Sequence, residues 1–363
     1  MINQQKIDEY KNDISKILNV PVEKIQTFEE IPWLEKLERG TKSNVYHISI
    51  RSGSPPDEFV LKEYNPEAID LSNSDSYLRD YFTEKSILIV AKRHEDLRKI
   101  SPLIKSEEYA PFEEKKAILV KNINKKTLEQ ILSKDNILEK DNPLEKTSFK
   151  YGRIRDCLDI CSQFDSLFPR YGIEIDKEIN KLSSGQFSEI KQQSIADYAK
   201  NFAEYLKILY PSADDKIIKE CRDDYSNLAL KYCSDYTGII NDLYPPNISP
   251  TGFVDMGNVK IGPKVMPLGC LLCSPDVFDV LKKEKDGFYN LVSDYSKKTN
   301  IDPEIAANGA LLEGLYGNIR VAAGLKRRSW GSKEEYSRFA KYAQEQANLL
   351  EEEGHISFLL KGR

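Results

Sequence analysis

The stretch Ile240-Asn241-Asp242-Leu243-Tyr244-Pro245-Pro246-Asn247-Ile248, with Asp255 seven residues further on, decides how this chain is read. Two carboxylates and one amide, Asp242, Asp255 and Asn247, fall within fourteen residues. Pro245 and Pro246 fix φ and stiffen the loop between Asp242 and Asn247. Ile248-Ser249-Pro250, a Thr251-Gly252 turn and Phe253-Val254 then read as a strand–turn–strand that folds back and returns Asp255 to the side of Asn247. Such a set suits phosphoryl transfer. One carboxylate orients an attacking hydroxyl, while an amide oxygen and a second carboxylate hold Mg²⁺ against nucleotide phosphates. Asx-turn chemistry around a tight hairpin draws on the same residue types, so what stands upstream matters.

Upstream, Arg39-Gly40-Thr41-Lys42-Ser43-Asn44-Val45-Tyr46 lies between two strand-like runs. A turn that opens on glycine lets backbone N–H groups approach phosphate oxygens, and it equally serves as a plain hairpin turn. Phe59-Val60-Leu61-Lys62 reads as the next strand and ends on a lysine. A lysine buried there needs a partner, which a nucleotide phosphate and a helix carboxylate would supply; an exposed strand lysine needs none. Glu84, near Ile87 and Leu88 on the inward side of the following helix, is the candidate carboxylate, with Asp80 one turn earlier as its competitor.

The wider pattern has two halves. Residues 5–20 read as a helix that Pro21 ends or restarts, and apolar periodicity predicts another from about Ser76 to Arg98. Val45–Ile50, Phe59–Lys62 and Ala117–Val120 read as strands, and residues 134–150 as loop. From Tyr151 to about Ser234, and again from about Asp276 to Leu350, helical patterns dominate. The expected division is a strand-rich lobe over 1–123 and a helical lobe over 124–363.

Composition sets outer limits. With 40% hydrophobic and 31% charged residues, the chain resembles ordinary globular proteins, and no apolar run is long enough for a membrane span. The first residues lack the apolar core of a signal peptide, so a cytoplasmic location is expected. A net charge of −5 argues against nucleic acid as partner and would suit a cationic small substrate. Asp223, Asp224 and Glu313 are acidic residues that could receive one, or plain surface charge. Of six cysteines, Cys157, Cys161, Cys270 and Cys273 have spacings open to zinc, but reduced thiols packed as small hydrophobes are the simpler reading.

Taken together, these motifs resemble the aminoglycoside phosphotransferase and choline kinase superfamily over about residues 33–350. The family's catalytic loop, H-G-D-L-x-P-x-N, is matched from the aspartate on by Asp242-Leu243-Tyr244-Pro245-Pro246-Asn247. Its metal-binding segment is matched by Phe253-Val254-Asp255-Met256-Gly257, and its post-hinge helix start by Thr127, Leu128 and Leu132. The resemblance implies an α+β, bilobal, protein-kinase-like fold with an N-terminal antiparallel sheet lobe, one key helix and a larger helical C-terminal lobe. It implies Asp242 as catalytic base, Asn247 and Asp255 as Mg²⁺ ligands, and Lys62 paired to Glu84 at the phosphates of ATP, with GTP also admitted. Gly40, Thr41 and Ser43 would line the phosphate loop, and backbone groups of Lys121 and Ile123 would hold adenine. Two departures stand out: Ile240-Asn241 replaces the family's His-Gly, and residues 256–274 contain no acidic group. The absence of an A-P-E segment argues against an ordinary protein kinase.

The expected activity is therefore Mg²⁺-dependent transfer of the ATP γ-phosphate to a hydroxyl of a small molecule of aminoglycoside, amino-alcohol or sugar type. An inactive or weakly active kinase-fold protein kept for nucleotide binding or interaction is the alternative that Ile240 and Asn241 favour. Oligomeric state is left open.

Overall fold

The structure is a computed structural model, and it describes residues 4–30, 43–51, 57–64, 75–122, 127–133, 143–240, 243–256, 259–328 and 332–352. The chain divides into two compact units. One comprises residues 1–125, 173–189 and 252–258, and the other residues 126–172, 190–251 and 259–363.

The first unit is built on a five-stranded antiparallel sheet. Its strands are β1 (Ile25–Glu30), β2 (Ser43–Ile50), β3 (Asp57–Tyr64), β4 (Leu103–Ile104) and β5 (Ala117–Asn122), in the order β1-β2-β3-β5-β4. β3 lies between β2 and β5, with Lys62 opposite Val45 on one side and Ile118 on the other. Alternation along β3 sends Phe59, Leu61 and Glu63 to one face, and Val60, Lys62 and Tyr64 to the other.

The Phe59 and Leu61 face joins a core with Ile48, Ile50, Phe112 and Leu119, covered by Tyr10 and Ile14 of helix α1 (Gln4–Leu18). Glu63 on this face accepts hydrogen bonds from Tyr10 Oη at 2.6 Å and Lys6 Nζ at 2.7 Å, which ties α1 to the sheet. The helix was expected to run on to Pro21. It ends at Leu18 because Asn19 turns left-handed (φ 51°) and the Val20 N–H closes on the Ser15 carbonyl, an arrangement that satisfies the last turn without proline.

The opposite face of the sheet receives helix α2 (Asp75–Arg93). The single helix expected to run to Arg98 is broken at His94, whose extended backbone separates α2 from α3 (Glu95–Ile100). Every residue of α2 from Tyr81 to Ala91 is buried, including Thr83, Glu84, Lys85 and Ser86. A helix buried all round cannot leave its polar groups to water, so they need protein partners. Lys85 finds Glu113, the penultimate residue of the short helix α4 (Ala110–Glu114), at 2.5 Å. At the far end, Arg93 and His94 pair with Glu174, and Arg93 also reaches Glu178 at 3.0 Å.

The second unit is helical, comprising α5 (Leu128–Ser133), α7 (Ile195–Leu209), α8 (Asp215–Tyr232), α9 (Met266–Leu272), α10 (Pro275–Leu281), α11 (Gly287–Thr299), α12 (Pro303–Arg328) and α13 (Lys333–Glu352). The long helix α6 (Pro143–Leu182) contributes its residues to Gly172 here and its remainder to the first unit. Residues 143–150, expected as loop, form the first turns of α6, which open on a proline suited to a helix start. Caps set other boundaries: Ser194 and Asp197 form a reciprocal capping box on α7, and Asp214 accepts from the Lys216 N–H at 2.7 Å on α8.

At the centre stands α12, buried without interruption from Ala306 to Ile319 and packed against α7, α8, α9, α11 and α13. Small residues permit this. A Cβ on Gly314 would lie 2.2 Å from the Cys273 Cβ, so glycine is required for α12 to approach that closely. A short antiparallel pair, β6 (Tyr236–Ile240) and β7 (Val259–Pro263), completes the unit. Among the described residues no helix is long and apolar enough to cross a membrane.

Candidate active site

In the first unit, β3, α2 and the segment after Gly252 deliver three of the expected side chains to one point. Lys62 Nζ donates to Glu84 Oε1 at 2.8 Å and to Asp255 Oδ1 at 2.5 Å. Lys62 and Glu84 are buried, whereas 37% of the Asp255 side chain is exposed. Phe253 and Met256, both buried, pin the backbone on either side of Asp255. Between these anchors Val254 and Asp255 are both half-buried, and the carboxylate is the polar group they present.

The electrostatics follow from this packing. Burial pulls the Lys62 ammonium down, but the charges of Asp255 and Glu84 more than reverse it and hold its pKa above the ordinary lysine range. Burial raises the Glu84 carboxyl, with Lys62 pulling the other way. These two directions conflict, since the first favours an ion pair and the second a neutral acid. Geometry decides for the ion pair, because both Glu84 oxygens accept hydrogen bonds: Oε1 from Lys62, and Oε2 from the Tyr64 hydroxyl. Burial, with Glu84 adding to it, pushes the Tyr64 phenol well above its usual range, so Tyr64 stays a donor.

In the second unit, Asn247 closes the one-turn helix Pro245–Asn247, and its N–H donates to the Tyr244 carbonyl at 2.9 Å. Tyr244 is extended, as the residue before a proline should be. Leu243 and Ile248 are buried on either side of this turn. Arg320 of α12 donates from Nη2 to the Tyr244 hydroxyl at 3.3 Å. Upstream, β6 needs Gly238, because any Cβ there would stand 2.2 Å from the Phe168 ring.

Several expected residues fall outside this picture. Asp242, Gly40, Thr41 and Ile123 lie outside the described residues. Ser43 opens β2 opposite Tyr64. Lys121 pairs in register with both Phe59 and Leu103, and its Nζ reaches Asp57 Oδ1 at 2.9 Å on the surface. Asp223 pairs with its neighbour Arg222 at 2.7 Å, in the open. Glu313 is no surface charge: it is 1% exposed on α12, and its Oε2 has no hydrogen-bond partner among the described residues. All six cysteines are buried, and none is joined in a disulfide.

Two contributors went unremarked in the sequence. Tyr64 stands two residues after Lys62 and so shares its face of the strand, a signal that was available. Arg320 carried no such signal, since its link to Tyr244 depends on packing across 76 residues.

No family model matches the chain, and no curated protein matches it either. Solved structures do. An ethanolamine kinase from Plasmodium vivax superposes with a TM-score of 0.57 at 10% identity, covering 98% of this chain and 91% of its own. A choline kinase from Cryptosporidium parvum gives 0.55 at 14% identity, covering 97% of each chain. The GDP complex of an aminoglycoside 2′-phosphotransferase gives 0.53 at 12%, covering 94% of this chain and 97% of its own. The chain thus has the protein-kinase-like fold of the aminoglycoside phosphotransferase and choline kinase superfamily.

Proposed function

We propose that the protein is a phosphotransferase that moves the γ-phosphate of a nucleoside triphosphate, ATP or GTP, to a hydroxyl of a small molecule. The observation that carries this reading is the Lys62 ammonium held at 2.8 Å from Glu84 and 2.5 Å from Asp255. Buried lysines flanked by two carboxylates are costly to assemble and suit a site that receives phosphate. The GDP complex among the structural relatives supports a nucleotide ligand.

In this reading residues 1–123 form the nucleotide lobe and 124–363 the substrate lobe. Lys62 binds phosphate oxygens, and Glu84 aims it. Backbone N–H groups of Gly40, Thr41 and Ser43 approach the phosphates, and backbone groups at Lys121 and Ile123 hold adenine. Asp242 orients the acceptor hydroxyl and accepts its proton. Asp255, through its carboxylate, and Asn247, through its amide oxygen, are the proposed Mg²⁺ ligands, each of the oxygen type that a hard cation takes. Bound there, Mg²⁺ supplies positive charge to the phosphate oxygens. Catalysis is then positioning plus electrostatic stabilisation, with no covalent enzyme intermediate.

The test is ADP formation by the purified full chain with Mg²⁺ and ATP across aminoglycosides, amino alcohols, sugars, nucleosides and hydroxy amino acids, with Asp242→Asn as the blank. Acceptor-dependent ADP in the wild type alone is expected. Equal ADP from Asp242→Asn would remove its assigned role. Ile240-Asn241, in place of the family's His-Gly, favours a second reading, a nucleotide-binding protein with little turnover. That reading predicts Mg²⁺·ATP binding without ADP release for any acceptor.

A further inference from the structure

The second oxygen of Glu84 is unused in the reading above. Lys62 has two carboxylates to serve, Glu84 and Asp255, and would gain phosphate oxygens when a nucleotide binds. If Lys62 alone supported Glu84, every shift of the ammonium toward phosphate would leave a carboxylate buried with weakened compensation. Tyr64 supplies what Lys62 cannot. It follows Lys62 by two residues on β3, so both side chains leave the same face of the strand toward α2. Its hydroxyl donates to Glu84 Oε2 while Lys62 holds Oε1. The phenol is itself fixed: the residue is 4% exposed, its ring meets Tyr81 edge-on at 5.6 Å, and its N–H donates to the Lys116 carbonyl at 2.9 Å.

The other face of β3 offers an internal contrast. Glu63 also collects tyrosine hydroxyls, from Tyr10 and Tyr46, together with Lys6. That cluster fastens α1 to the sheet, on the face of β3 away from Lys62. Tyrosine support of a buried carboxylate is thus used twice on adjacent residues, once for docking a helix and once beside the candidate phosphate lysine.

We propose that Tyr64 is a positioning residue of the nucleotide site: its hydroxyl holds the Glu84 carboxylate in place, so that Lys62 can engage phosphate without losing its anchor. The inference rests on the reading of Lys62 as a phosphate-binding residue. Tyr64 acts through Glu84, which makes the two residues one functional unit. Their removal should therefore not be additive.

The experiment is calorimetric titration of Mg²⁺·ATP into the wild type, Tyr64→Phe, Glu84→Gln and the double variant, with thermal melting of all four without nucleotide. Tyr64→Phe should weaken binding about tenfold, as expected when one hydrogen bond to a buried charged group is lost. Glu84→Gln should weaken it more, and the double variant no further than Glu84→Gln alone. Wild-type affinity in Tyr64→Phe would overturn the proposal, even with a lowered melting temperature, since that is how a merely structural tyrosine behaves. Losses that multiply in the double variant would overturn it too. Failure of the wild type to bind Mg²⁺·ATP is a different result, and it would remove the nucleotide reading along with this one. Should Tyr64→Phe not fold, Glu84→Gln decides: an affinity equal to wild type leaves Tyr64 nothing to act through.

Discussion

Glu84 on α2 and Glu313 on α12 each expose 1% of their surface, but their surroundings are opposite. Glu84 gives one oxygen to a lysine ammonium and the other to a tyrosine hydroxyl. Glu313 sits among Tyr198, Tyr225, Tyr316 and Cys233, with Arg320 as its nearby cation. Burial lifts its carboxyl to about 7, and Cys233, Arg320 and Tyr225 only partly pull it back. The same residue type at the same depth is therefore held as an ion in one unit and as a half-protonated acid at neutral pH in the other. Burial alone does not mark a functional carboxylate. The donor set around it does, because only a charge-bearing, fully hydrogen-bonded partner set keeps an ion in a low-dielectric interior.

The largest effect expected from this comparison lies at Lys62. Lys62→Met would leave Glu84 buried without its cation and cost roughly 3–5 kcal/mol, read from the urea midpoint. Adding Glu84→Gln to that variant should recover much of the loss, since the uncompensated charge is then gone. A double variant no more stable than Lys62→Met would break the account of Glu84 as an ion.

Glu313 comes next. Its folded carboxyl titrates at about 7, against 4.5 for an ordinary glutamate, so the unfolded chain releases this proton first. Stability should be full below pH 4.5, fall as pH rises toward 7 and level off above it, by on the order of 3 kcal/mol in total. Glu313→Gln should flatten this part of the pH–stability curve, whereas Glu84→Gln should leave it in place. A curve unchanged by Glu313→Gln would equalise the two glutamates and end the contrast.

Arg320→Met should then sharpen it. Removing the guanidinium should move the alkaline end of the same fall to higher pH, by about one unit or less at the distance of a partly solvated charge. It should also loosen Tyr244, whose hydroxyl Arg320 contacts. The smallest effect belongs to Lys121→Ala. Its partner Asp57 and Lys121 itself are both more than a third exposed, so the loss should stay below about 1 kcal/mol by chemical denaturation.

Much of the first unit could be read in the residues. The strand through Lys62, which runs on to Tyr64, and the inward helix with Glu84 are local patterns, and their order along the chain carried the rest. Tyr64 was as legible as Lys62, since strand alternation fixes its face. The start of α6 at Pro143 was hidden by a polar stretch whose charges read as loop. The end of α1 turned on a left-handed Asn19, a choice that competes with the nearby proline in any pattern reading.

Glu313 could not be placed from sequence. Its burial depends on Gly269 of α9, where a Cβ would come within 2.5 Å of the Glu313 Cβ, and on the other helices that surround α12. The periodicity of α12 names no solvent face, because small residues let neighbours close in on all sides. Tertiary packing, rather than local preference, set that part of the molecule.

The most direct measurement of the central claim is the affinity for ATP with and without Mg²⁺, in the wild type and in Asp255→Ala. Mg²⁺ should strengthen ATP binding to the wild type, and Asp255→Ala should bind ATP with the same affinity whether Mg²⁺ is present or absent. An Asp255→Ala protein that keeps the wild-type response to Mg²⁺ would contradict that claim.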